Sequence, residues 1–114
     1  MISWPWKRPY RDVVRRQLTL FADDNAMLIG RARQALDEYH GASDAELAQA
    51  SYADHDDYSE DVELALRLMC DSYAARLEPA TARRYVREFS RQARRSYRDV
   101  IPDLNMLRTL DTDD

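Results

Sequence analysis

Turn-forming residues are scarce in this chain: two glycines and four prolines among 114 residues. A β-sandwich or barrel needs a turn about every 8–12 residues, so all-β architectures are excluded and a few long helices are the economical reading. Cys70 is the sole cysteine, so no internal disulfide supports the fold and a cytoplasmic location is expected. No apolar run approaches the roughly 18 residues of a membrane span, and the first residues lack the apolar core of a signal peptide. Lysine is nearly missing, with Lys7 standing beside sixteen arginines, a bias that a GC-rich genome accounts for. A net charge of −4 gives no global pull toward nucleic acid or anionic lipid, so no nucleic-acid partner is expected. Also absent are a glycine-rich phosphate loop, a Ser-His-Asp or Cys-His arrangement and a CxxC pair. No catalytic residue and no cofactor is predicted, and the chain reads as non-enzymatic.

What is present is amphipathic periodicity. Hydrophobic residues make up 45% of the chain and charged ones 33%, a balance that suits one soluble all-α domain. The organising stretch is Ser43 to Leu77, where Ala48, Tyr52, His55, Val62, Leu66, Met69, Tyr73 and Leu77 step three and four apart. Around it the chain divides into an extended Trp/Pro arm (1–9), a helical bundle (10–101) and a tail (102–114) with a possible short helix.

The arm holds Trp4 and Trp6 with Lys7 and Arg8. Two prolines keep it extended, and Pro9 suits a first helical position. Its aromatics either fold back as a lid or anchor a partner. From Tyr10 the positions Val14, Leu18, Phe21, Asn25, Leu28, Ala32, Ala35 and Tyr39 hold one phase. One helix from about Tyr10 to Tyr39 is therefore predicted, bent if anywhere at Asp23-Asp24-Asn25, with a split into two helices there as the alternative. Ala22, Ala26 and Gly30 form a groove of small side chains beside this seam. Gly30 costs roughly 1 kcal/mol relative to Ala in a helix, which a close helix crossing would explain, with a partner from this chain or a second copy.

Gly41 is expected to end the first helix in the left-handed conformation, and Ser43 with Glu46 has capping-box spacing. The short connection dictates an antiparallel hairpin. From Ser43 to Glu63 eight acids occur without a Lys or Arg, among them Asp54, Asp57 and Glu60. Glu78-Pro79 marks the next boundary, and a third helix from about Ala80 to Val100 carries the stripe Ala82, Val86, Phe89, Ala93, Tyr97 and Val100. Its other faces hold seven arginines against Glu88 and Asp99. Packed antiparallel to the second helix, Arg94, Arg95 and Arg98 would fall beside Asp57, Glu60, Asp61 and Glu63. Leu104, Met106, Leu107 and Leu110 are expected to dock as a last turn, ahead of an acidic tail from Asp111 to Asp114.

At ~1.5 Å per residue the third helix covers only part of the hairpin. The fold expected is thus a long antiparallel helical hairpin plus a shorter third helix, a three-helix bundle whose uncovered end a homodimer completes to four helices. A polar layer of Asn25, His55 and Ser59 admits a second reading, a ferritin-like carboxylate and histidine metal site, with Asp37 and His40 as further ligands. Cys70 reads as a small packed residue.

The turn Tyr39-His40-Gly41 resembles the aromatic-x-Gly turn of the small helical hairpin proteins exported by type VII secretion. That resemblance covers one turn and implies a two-helix hairpin. The family has Trp where this chain has Tyr39, and a Tyr-x-x-x-acid signal near the C-terminus, whereas Tyr52 and Asp56 lie within the second helix and a third helix follows.

Three functions are ranked from these features. First is a protein-interaction or assembly module that self-associates, using Trp4, Trp6, Ala22, Ala26, Gly30, Asp54, Asp57 and Glu60. The metal-binding bundle on His55, Asp37 and His40 is second. Third is an acidic inhibitor or immunity-type protein that captures a basic partner through Asp54 to Glu63.

Overall fold

The computed structural model describes residues 8–106, all helix, turn and coil without a strand. Trp4, Trp6, Leu107, Leu110 and Asp111 to Asp114 lie outside the described residues. Four helices follow one another: α1 (Arg11–Asp24), α2 (Ala26–His40), α3 (Ala45–Ala74) and α4 (Pro79–Ser96).

The expected single first helix is two helices that meet at Asn25. Its backbone departs from helical values (φ −116°, ψ 22°), although Asn25 N–H still donates to Phe21 O and Ile29 N–H to Asn25 O, both at 2.9 Å. The side chain explains the break. Asn25 Nδ2 also donates to Phe21 O at 3.1 Å, a local bond that competes with the helical ladder after two aspartates of poor helix propensity. Most of the apolar phase survives: Val14, Leu18, Phe21, Ala32 and Ala35 are buried, while Ile29 is buried in place of half-buried Leu28 and Tyr39 is exposed. The direction does not: α2 pairs along α3 while α1 packs chiefly on α4.

Pro9 precedes α1 instead of starting it. Tyr10, at the N-cap, adopts φ 65° and ψ 9°, a left-handed conformation uncommon outside glycine. Its ring stacks edge-on against Tyr85 at 5.7 Å and Tyr73 at 6.4 Å, contacts that offset the backbone cost.

Gly41 is not left-handed; at φ −94° and ψ 4° any residue fits its backbone. The cap of α3 sits one residue later than Ser43: Asp44 accepts from Leu47 N–H at 2.8 Å, the N-cap bond that spares an orphan amide. α3 then runs unbroken through Asp54 to Asp61. α4 ends at Ser96, four residues short of the expected Val100, and the chain continues as turns. Val100, Ile101, Leu104 and Met106 are buried there, so the described part of the tail docks by hydrophobic contact, without helix through Met106.

The core joins Val14, Leu18 and Phe21 to Val62, Leu66 and Cys70, to Tyr85, Val86, Phe89 and Ala93, and to the 97–106 tail. It reaches only Leu28, Ile29 and Ala32 on α2 and no further toward the hairpin turn than Tyr58 on α3. Beyond that point Ala35, Ser51 and His55 are buried between α2 and α3. The molecule is accordingly elongated, 57 × 36 × 23 Å.

Candidate functional site

His55 is buried in the α2–α3 seam, where its Nδ1 lies 3.1 Å from Ala32 O, and Ser59 Oγ is 3.5 Å from both ring nitrogens. The Nδ1 tautomer bearing a proton satisfies Ala32 O. This ties α2 to α3 and fixes their register. Asn25 does not join the layer, because its side chain is spent on Phe21 O. Asp37 and His40 sit exposed at the end of α2, and His40 stacks with Tyr39 at 5.4 Å. Among the described residues no three His, Cys, Asp or Glu side chains converge, so His55, Asp37 and His40 are not brought together.

Ala22, Ala26 and Gly30 do come together, on an open groove of about 570 Å³ bounded by Leu18, Ile29, Gln92 and Tyr97. A Cβ on Gly30 would meet nothing within 4 Å. Among the described residues no helix crosses closely at Gly30, because the bend at Asn25 turns this face away from α3 and α4. Across the groove Arg33 donates to Asp99 at 2.9 Å and to Ser96 O at 3.2 Å, and it lies over the Tyr97 ring at 5.7 Å.

Asp54, Asp57 and Glu60 are exposed on α3. The expected pairing of these acids with α4 does not form. Among the described residues the ion pairs are Arg8–Glu88, Arg15–Asp12, Arg33–Asp99 and Arg67–Glu63. Glu63 is taken by Arg67 of its own helix at 2.9 Å, and Arg67 also donates to Asn105 O at 3.3 Å, clamping the tail to α3.

The arginines of α4 instead meet those that precede and open α1. Arg8, Arg11, Arg15, Arg87, Arg91, Arg94, Arg95 and Arg98 line one groove of about 660 Å³, with Ser90, Gln92, Ser96 and Asn105 between them. None of these described lining residues is a carboxylate or carries an apolar side chain. Local order sets the groove up. Gln92 Nε2 donates to Arg11 O at 2.9 Å and to Glu88 Oε2 at 2.8 Å, and buried Glu88 reaches Arg8 at 3.6 Å, pinning the start of α1 to α4. The spacing of the arginines on α4 is legible in the sequence; their meeting with Arg8, Arg11 and Arg15 is not, because it depends on where α1 crosses α4.

Cys70 is fully buried, and burial pushes its thiol up to about 12, with Asp71 adding to the rise and Arg67 opposing it. Tyr85 is raised in the same direction by burial, although the hydroxyl donates to Gln17 Oε1 at 2.6 Å. Neither group is poised for chemistry near neutral pH. Comparison with family models, with curated proteins and with solved structures finds no match to this chain, so its function is argued from geometry.

Proposed function

We propose that the protein is a non-enzymatic helical interaction or assembly module that self-associates. The observation that carries this reading is the length of α2 and α3 left outside the common core. At that end Tyr39, Leu47 and Tyr52 are exposed large side chains, Tyr52 to 53%. The open Ala22–Ala26–Gly30 groove supports it further, since small side chains admit a close helix approach from a second copy. Leu64 and Leu68, 65% and 70% exposed one turn apart on α3, add an apolar strip of the kind that marks contact surfaces. No metal or bound cofactor enters this reading, and no side chain is assigned a catalytic role.

Light scattering across a concentration series tests it. The expected outcome is a mass that climbs above the monomer with concentration and falls back in Ala26→Arg/Gly30→Arg. A strict monomer at every concentration overturns self-association. A dimer that both substitutions leave intact moves the interface away from this groove.

A further inference from the structure

We propose that the arginine groove between the start of α1 and α4 binds the phosphodiester backbone of double-stranded nucleic acid without reading base sequence. Among the described residues most of the charge there is uncompensated. Of the eight guanidinium groups only Arg8 and Arg15 have a carboxylate partner among the described residues. The acids of α3 that would neutralise the others lie elsewhere: Glu63 is committed to Arg67, and Asp54, Asp57 and Glu60 face solvent. Like charges held in one concavity repel, and an anion of matching spacing relieves that repulsion.

The chemistry of the lining selects among anions. A protein partner is held by an apolar centre within a polar rim, and none of the described residues lining this groove carries an apolar side chain. An anionic bilayer is flat and is gripped by apolar insertion as well as by charge, whereas this surface is concave. Guanidinium, amide and hydroxyl groups are the side chains that contact sugar and phosphate. Single strands are held by stacking bases on aromatic rings, and no described aromatic residue lines the groove. A duplex, whose bases are already stacked, needs only backbone contact.

Spacing agrees. Arg87, Arg91 and Arg94 succeed one another by four and three residues on α4, a row about 10 Å long at helical rise, and Arg98 follows in the turn after the helix. Duplex DNA of about 10 Å carries about six phosphate charges. The net charge of −4 does not oppose this, because none of the acids of α3 is among the described residues that line the groove, and charges are screened beyond about 8 Å at physiological salt. The site lies within one copy of the chain and is independent of self-association.

Fluorescence anisotropy with a mixed-sequence duplex of about 20 base pairs, titrated at salt from about 50 to 200 mM, tests the proposal. Dissociation constants of about 10⁻⁴ to 10⁻⁶ M near physiological salt are expected, alike for two unrelated sequences, with log K falling linearly in log salt. Arg91→Ala/Arg94→Ala/Arg98→Ala should flatten that slope by about 3, roughly one per lost phosphate contact. The matching Lys triple should largely keep it, and Arg31→Ala/Arg76→Ala, outside the groove, should leave it unchanged. Circular dichroism melts verify that each variant folds, and the Lys triple keeps the test decisive if the Ala triple does not. No duplex binding at about 50 mM salt, or binding indifferent to the α4 row, overturns the proposal. Equal capture of polyglutamate or of anionic vesicles assigns the groove to acidic protein or to lipid and overturns it as well.

Discussion

Cys70 illustrates how a side chain can be chemically conspicuous and inert. Its thiol has no exposure and is held at about 12 against an ordinary 9.0, first by burial and then by Asp71. In the native protein it should ignore a thiol-reactive dye at neutral pH and react only on unfolding, which a labelling time course with and without denaturant reads directly. The raised value also fixes a sign. The folded state holds this proton more tightly than the unfolded one, so its contribution is complete below about pH 9 and is lost as pH climbs toward 12. Burial of Tyr85 and Tyr97 acts in the same sense, and urea melts should show stability eroding on the alkaline side. Gly30 is the converse case. With open space around it and a place inside α2, Gly30→Ala should raise monomer stability by roughly 0.5–1 kcal/mol, measured by urea melts at dilution low enough to keep copies apart. Tyr85→Phe should cost about 1 kcal/mol, since it leaves Gln17 Oε1 without the hydroxyl that now donates to it at 2.6 Å.

At the scale of elements, α3 and the α1–α2 pair make an instructive contrast. Both contain a run of weak helix formers, yet α3 passes through Asp54 to Asp61 intact while α1 stops at Asp24. In α3, His55 is bonded to Ala32 O inside the run and Val62 anchors its end in the core, so tertiary contacts hold the helix through poor propensity. At Asn25 the side chain turns back on its own helix. The cap of α3 is equally specific: Asp44→Ala removes the bond to Leu47 N–H and should cost about 1 kcal/mol, visible as a lower urea midpoint at unchanged slope. Glu46 and Ser43 satisfy the capping-box spacing in sequence, but the chain enters α3 with Asp44 extended at φ −146° and ψ 168°, and an aspartate so placed does the capping itself.

Over the whole molecule, charge and hydrophobicity are segregated along its length. Arginines gather where α1 crosses α4, acids occupy the first half of α3, and the core lies with the former, leaving the hairpin end thin. Association of copies through apolar helix faces should therefore resist salt, while binding through the arginine groove should weaken steeply with it. Light scattering and anisotropy at matched salt concentrations separate the two surfaces without any substitution.

Periodicity in the sequence determined that the described chain is all-helical and that Cys70 and His55 are buried, while Tyr39 and Tyr52, on the same expected inward stripes, are exposed. Those are local properties: a three-four phase is carried by neighbouring residues and survives a change of direction. What only the tertiary structure decided is where each helix points after Asn25, and hence which faces meet. A departure at one residue moves α1 from α3 to α4, opens the Ala22–Ala26–Gly30 face and sets Arg8, Arg11 and Arg15 beside the α4 row. Contacts of that kind depend on summed angles and distant partners, whereas the seam of a single helix depends on spacing alone.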